Sequence, residues 1–144
     1  MWHFKKNMRE AAKDEAGYTL LELLVVLVIV TLIVGIAGPM VIRQFETAKS
    51  NTARIGVNRL MTDLELFRVD TGRWPTEEED LDALISSDAT GWNGPYLPKA
   101  SMLDDPWGNK YLYTLDGDVP EVRSLGRDGV EDGEGEDADI SSKD

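Results

Sequence analysis

The sequence predicts an α+β protein with one long N-terminal helix, packed on a head that has a small antiparallel β-sheet, a short helix and an acidic C-terminal loop. A run without charges over residues 23–42 is followed by apolar side chains at helical spacing as far as Phe67. Beyond Gly72, short β-prone stretches alternate with turn residues. A helix followed by neighbouring strands is typical of the α+β class.

The composition excludes several classes of function. The 144 residues contain no cysteine, so neither a disulfide nor a thiolate metal site is expected. The formal net charge of −12 argues against a nucleic-acid partner, because phosphate binding needs a basic face. The only histidine is His3, so the usual nucleophile–base pairs are missing and we do not expect an enzyme. Asp105 precedes Pro106 in a turn-like block, where a structural role is expected.

The apolar run predicts a membrane-spanning helix. Residues 23–42 would extend about 30 Å as a helix, which matches the hydrocarbon thickness of a bilayer. The rest of the chain is too short to enclose such a helix on all sides. A secretory signal peptide would be shorter and would end at a small-x-small site, whereas Arg43 follows here. A signal anchor with the basic N-terminal residues in the cytoplasm fits the length.

An anchor alone does not explain Glu22, which lies at the edge of the apolar run. A carboxylate deep in lipid costs ~2.5 kcal/mol or more, and such residues are functional candidates by default. The side chain can also lie at the level of the headgroups, and the residue alone does not decide between these interpretations.

The helix is predicted to continue beyond the membrane and to cover residues 19–70. Pro39 removes one backbone hydrogen bond, so a kink or local melting is expected there. Residues 43–70 are amphipathic, and Gly72 is a stop signal. The apolar face, expected to pack on the sheet, consists of Ala53, Val57, Leu60, Met61, Leu64 and Phe67. The other face is expected to hold most of the following charged residues: Lys49, Arg54, Arg59, Asp63 and Arg68.

The head is predicted to contain short elements. Residues 76–79 fit a capping box, which predicts a helix over residues 77–86. Two strands are expected over residues 110–115 and 121–125, joined by a turn at 116–118. The aromatic side chains expected to pack in the head are Trp74, Trp107 and Tyr111.

The chain from residue 127 onward holds eight acidic and two basic residues. The composition favours a disordered acidic tail. Alternatively, converging carboxylates with glycines at the turns would bind a cation. The first, fifth, sixth and twelfth places of an EF-hand loop are matched by Asp128, Asp132, Gly133 and Asp139. Val130 occupies the third place, where a ligand is required, and the flanks are not helical. An EF-hand is therefore not predicted.

The motif Gly-Tyr-Thr-Leu-Leu-Glu at residues 17–22 resembles the processing site of type IV pilins and type II secretion pseudopilins. The resemblance implies that prepilin peptidase cuts between Gly17 and Tyr18 and that Tyr18 is then N-methylated. Glu22 becomes the fifth mature residue, which can pair with the new amine of an adjacent subunit so that two costly charges offset each other. Pro39 becomes the twenty-second mature residue, a position around which the helix can unwind within the filaments of this family.

Five further blocks resemble the major pseudopilins of type II secretion, the general secretion pathway protein G family within the type IV pilin-like superfamily. They cover residues 72–76, 94–97, 105–111, 124–129 and 134–140. The resemblance implies a pilin-like fold and a calcium-binding loop over residues 125–140. Its implied ligands are the side chains of Asp128 and Asp139, the carbonyls of Leu125 and Val130, and, as a weaker candidate, Asp137.

The resemblance implies a filament subunit that polymerises through its N-terminal helix and drives folded proteins across the outer membrane. Residues 1–17 would be the leader, 18–42 the transmembrane assembly helix and 43–144 the periplasmic head. The chain would cross the inner membrane once. Its expected partners are other copies, prepilin peptidase, minor pseudopilins, the inner-membrane assembly platform and membrane lipid. The alternatives are another type IV pilin-like filament subunit, or a signal-anchored calcium-binding periplasmic domain that does not polymerise.

Overall fold

The computed structural model describes residues 17–144, so the predicted leader lies outside the described residues except for Gly17. Contacts divide the chain into a unit that ends at Pro39 and a unit over Met40–Asp144. The described elements are helix α1 (Leu20–Thr71), strands β1 (Leu112–Asp116), β2 (Val119–Ser124) and β3 (Ile140–Ser141), and 3-10 helices at Leu81–Leu84, Ala100–Leu103 and Gly135–Asp137. The predicted α+β arrangement is confirmed.

Helix α1 agrees closely with the predicted long helix. It begins at Leu20, where the Thr19 hydroxyl accepts a hydrogen bond from the backbone N–H of Glu22 at 3.2 Å. By length and composition it is the one helix among residues 17–144 that is able to cross a membrane. The helix continues through Pro39 in the single chain. Unwinding at Pro39 within a filament therefore stays a prediction.

The second half of α1 contributes one wall of the core of the head. Its predicted apolar face is confirmed, since Ala53, Val57, Leu60, Leu64 and Phe67 are at most 1% exposed. The core is completed by residues from the loops and the sheet: Trp74, Leu81, Leu84, Leu97, Leu103, Tyr111, Tyr113, Val122 and Ile140.

One residue predicted for the polar face of α1 is buried. Asp63 is only 7% exposed, and its Oδ2 atom lies 3.7 Å from Nε of Arg59. Burial raises the pKa of this carboxyl, although Arg59 acts in the opposite direction. The buried face of the helix is thus wider than the apolar spacing indicates.

The helix ends where the sequence predicts. Gly72 has a φ of 78°, and its N–H donates to the carbonyl of Arg68 at 2.8 Å. A left-handed residue just past the last turn is a common helix terminator, and glycine adopts this conformation without steric strain.

The short helix predicted over residues 77–86 is present, but it covers only Leu81–Leu84 and is a 3-10 helix. The capping box does form, with Thr76 N–H donating to Oε2 of Glu79 at 2.8 Å and Glu79 N–H donating to Oγ1 of Thr76 at 3.2 Å. Asp80 then adopts a φ of 50°, which ends the helical path after one turn. Its carboxylate accepts from the N–H of Leu81 at 2.7 Å, and a 3-10 helix over Leu81–Leu84 follows.

The sheet has the order β1-β2-β3 and is antiparallel throughout. The turn between β1 and β2 is tighter than predicted, because Asp116 pairs directly with Val119 and only Gly117 and Asp118 lie between. Strand β3 was not predicted. It pairs Ile140 with Ser124 of β2, so the acidic segment ends in the sheet and is not a free tail.

Candidate functional site

The predicted processing junction is accessible. Gly17, Tyr18 and Thr19 precede the first turn of α1 and are exposed, and Tyr18 retains 75% of its accessible surface. A peptidase needs an extended backbone that is not held in a helix. Gly17, Tyr18 and Thr19 lie outside any helix, whereas the chain from Leu20 onward is helical.

Glu22 lies in the first turn of α1. An acidic side chain is favourable there because the N-terminal end of a helix carries a partial positive charge. The apolar side chains around it are also exposed, with Leu21 at 73% and Leu23 at 53%. Within residues 17–144 no basic side chain forms an ion pair with Glu22. Its carboxylate is therefore open to a charge from another molecule.

Asp105 anchors the start of the acidic loop. It is 5% exposed; its Oδ1 atom accepts from the N–H groups of Trp107 at 3.0 Å and Asn109 at 2.9 Å. Its Oδ2 atom accepts from the hydroxyl of Ser124, at the end of β2, at 2.6 Å. The amide of Asn109 donates in turn to the carbonyl of Gly126 at 2.9 Å. The expected structural role of Asp105 is confirmed: it fastens one turn of the head to the loop.

Arg127 holds the acidic loop closed through ion pairs, although its own side chain is exposed. Its guanidinium donates to both carboxylate oxygens of Asp137, at 2.9 and 3.0 Å, and to Oε2 of Glu136 at 2.7 Å. The hydrogen bonds that Arg127 donates to Asp137 are the main reason why the pKa of Arg127 is raised. Sequence reasoning missed this role. The available signal was that Arg127 is the only basic residue in an otherwise acidic stretch, residues 125–140.

The two chain segments joined by Arg127 approach very closely. Gly126 has a φ of 66°, and a Cβ atom there would lie 2.7 Å from the backbone carbonyl carbon of Asp137. Only glycine combines this conformation with this packing. The loop is therefore folded back on itself by backbone contact as well as by charge.

The predicted calcium ligands differ in how well they fit a cation. Asp139 has one oxygen, Oδ1, that is buried and has no hydrogen-bond partner among residues 17–144. A bound cation would satisfy such an atom. Asp128 is exposed and accepts only from the N–H of Val130, at 3.1 Å. Both oxygens of Asp137, the weaker candidate, accept hydrogen bonds from Arg127, and its place among the ligands stays a prediction.

Among the described residues, no three acidic or histidine side chains form a group that could hold a metal ion. The predicted site has two carboxylates, from Asp128 and Asp139, together with the carbonyls of Leu125 and Val130. Such a site needs only two side chains, so the absence of a group of three does not bear on it. Calcium binding stays a prediction.

Comparisons with known proteins agree with this architecture. The family model described as "Type II secretion system (T2SS), protein G" matches residues 40–143, and the model "Prokaryotic N-terminal methylation motif" matches residues 12–38. The type II secretion system core protein G of Xanthomonas campestris pv. campestris is 34% identical over 128 residues, covering 88% of both chains. That of Pseudomonas aeruginosa is 33% identical, covering 92% of this chain and 97% of the relative.

A solved structure is also similar. The crystal structure of the major pseudopilin from the type 2 secretion system of enterohaemorrhagic Escherichia coli matches with a TM-score of 0.55 at 27% sequence identity. The match covers 69% of this chain and 90% of the crystallised one.

Proposed function

The chain belongs to the type II secretion system protein G family, and from this premise we propose that it is the major pseudopilus subunit, polymerising through α1 to drive folded proteins across the outer membrane. One observation carries the proposal. The apolar first half of α1 is exposed on all sides, with its large side chains between 49% and 77% accessible, although the chain also has a folded head. Such a surface needs lipid or other copies of the chain.

We further propose that the chain crosses the inner membrane once, with its head in the periplasm. The basic residues before Gly17 favour a cytoplasmic N-terminus, and the methylation motif over residues 12–38 supports cleavage at this end. Prepilin peptidase, the minor pseudopilins and the inner-membrane assembly platform are the partners that this role requires.

Cleavage between Gly17 and Tyr18 tests the proposal. We expect the mature protein from cells that contain the peptidase to have the mass of residues 18–144 plus one methyl group. The Gly17→Ala variant should retain the leader, because the family motif places glycine before the cut. Intact mass spectrometry of the membrane-extracted protein measures both events together.

Gly35→Ala is the matched control, since an added Cβ meets nothing within 4 Å at either glycine. This variant should be cleaved normally. If the wild-type chain keeps residues 1–17 in cells that contain the peptidase, the proposed role as a filament subunit loses its main support.

We also propose that the acidic loop binds calcium through the side chains of Asp128 and Asp139 and the carbonyls of Leu125 and Val130. The unpartnered Oδ1 atom of Asp139 supports this assignment. A bound cation would offset the repulsion between the carboxylates of the loop. The clamp by Arg127 would hold Asp137 outside the ligand set.

Calcium is therefore expected to stabilise a fragment that begins at Gln44. Binding to the folded state alone adds about 2.7 kcal/mol when free calcium is 100 times its Kd. Thermal unfolding in calcium and in chelator measures the shift in Tm. Asp128→Ala should remove most of the shift, whereas Asp88→Ala, an exposed acid elsewhere in the head, should preserve it. No shift at millimolar calcium, or an equal shift after Asp128→Ala, would contradict the proposal.

A further inference from the structure

Charge is distributed unevenly along the part of the chain that follows the apolar run. Arg43, Lys49 and Arg54, which we call the basic collar, are exposed on α1, and residues 43–54 contain a single acid, Glu46. Residues 55–144 contain 22 acidic and eight basic residues. The collar is therefore a predominantly positive stretch of an otherwise acidic unit.

The collar also differs from the other basic residues in its pairing. Within residues 17–144, none of its three side chains forms an ion pair. Six of the eight basic residues beyond it do so, namely Arg59, Arg68, Arg73, Arg123, Arg127 and Lys143. The head neutralises most of its own cations, whereas the collar remains available to another molecule.

Two anionic surfaces are candidates for the collar: phospholipid headgroups and the head of a second copy. A helix rises 1.5 Å per residue, which places Arg54 about 18 Å beyond Ile42, the end of the apolar run. The polar layer of a bilayer is only about 5–7 Å thick on each side. Screening at physiological salt limits electrostatic attraction to about 8 Å. By these lengths lipid phosphates reach Arg43 and Lys49, which lies about 10 Å beyond Ile42, but not Arg54.

A second copy fits the whole length of the collar. Copies that pack through α1 with an axial step place the head of one beside the stalk of another, an argument that rests on the proposed function. Acidic heads repel one another in such a polymer, and contact with a positive stalk would offset this repulsion. Exposed carboxylates without a basic partner in the described chain include Glu78, Asp82, Asp88, Asp116 and Glu134.

We propose that the basic collar of one subunit docks against the carboxylate-rich head of a second copy, so that charge complementarity adds to apolar helix packing in the filament. The contact would also favour one axial offset between copies, because other offsets place acidic heads beside each other.

Charge reversal of the full-length mature protein tests the proposal. The double variant Lys49→Glu/Arg54→Glu is expected to raise the critical concentration for polymerisation roughly 5–30-fold, since two attractive contacts become repulsive. Lys99→Glu/Lys110→Glu is the matched control. It changes the net charge equally at two exposed lysines that form no ion pair within residues 17–144, and a change below about threefold is expected. Sedimentation at increasing salt measures both.

Crosslinking identifies the contact directly. The filaments are mixed from two pools of subunits that carry different isotope labels. A carbodiimide should then join Nζ of Lys49 to a head carboxylate of a differently labelled copy. The product is an amide, and the carbodiimide takes up the released water and becomes a urea. Arg54→Lys should add a second crosslink of this kind. Mass spectrometry locates both.

Three results would overturn the proposal. The first is that the control variant weakens polymerisation as much as the collar variant, and the second is that the collar variant polymerises like the wild type. The third is that the collar effect, measured with phosphatidylglycerol vesicles, vanishes with phosphatidylcholine vesicles. The last result would assign the collar to lipid phosphate. Failure of the wild-type chain to polymerise would instead contradict the proposed function.

Discussion

Replacing Asp105 with alanine is expected to destabilise the head by about 3–5 kcal/mol, because a buried carboxylate with several polar partners is lost. Three donors lose their acceptor: the N–H groups of Trp107 and Asn109 and the hydroxyl of Ser124. Ser124 is completely buried, so its hydroxyl cannot find water without local opening. The carboxylate also connects β2 to the turn before β1, so its removal loosens the start of the acidic loop.

Asp104 provides a matched control. It is the preceding residue, with the same chemistry, but it is exposed and its carboxylate accepts no hydrogen bond within residues 17–144. Asp104→Ala should change the free energy of unfolding by no more than about 0.5 kcal/mol. Urea unfolding of the fragment that begins at Gln44 measures both variants. A loss below 1 kcal/mol for Asp105→Ala, or equal losses for the two, would refute the role assigned to Asp105.

The elements predicted well are those whose signals are local and repeated. Helix α1 was expected over residues 19–70 and spans Leu20–Thr71, because its apolar spacing persists for many turns and Gly72 ends it. The hairpin was found for the same reason, with its strands shifted by one or two residues. The register of a hairpin depends on the length of its turn. The turn here has only two residues between the paired Asp116 and Val119, fewer than its composition indicates.

The elements of the head that the sequence predicts least well are those whose type and length a short motif does not determine. The capping box at Thr76 forms, but it does not start an α-helix, since the left-handed backbone of Asp80 redirects the chain. The carboxylate of Glu79 also pairs with Arg73 at 2.6 and 2.8 Å, and these hydrogen bonds lower its pKa to about 2. Strand β3 has two residues, too few for any periodicity to reveal it.

In the acidic loop, composition and resemblance predict where the carboxylates lie but not how they are paired. Both indicated that carboxylates are concentrated there, and the resemblance singled out Asp128 and Asp139. Neither indicated that Arg127 would hold Asp137, because the two residues are ten positions apart and meet only after the loop folds back. A salt bridge of this kind depends on tertiary structure, which the sequence pattern does not reveal.

Replacing Glu22 with leucine is expected to prevent polymerisation in the normal register. In lipid, an unpaired carboxylate costs ~2.5 kcal/mol or more. An ion pair with the Tyr18 amine of an adjacent copy would offset that cost, and it would also offset the cost of burying the charged amine. Leucine removes the ion pair that favours this neighbour, and it leaves the Tyr18 amine buried without a counter-charge in the polymer. Loss of one partner of a buried pair costs about 3–5 kcal/mol, so the critical concentration should rise at least about 100-fold.

Two further variants separate charge from shape at this position. Glu22→Asp keeps the carboxylate and should retain polymerisation in the same register. Glu22→Gln keeps the length of the side chain without its charge and should behave like leucine. Sedimentation gives the critical concentration, and electron microscopy of the filaments gives the axial repeat. Filaments of Glu22→Leu with the wild-type repeat would refute pairing through Glu22, because apolar contacts along α1 would then be sufficient to set the register.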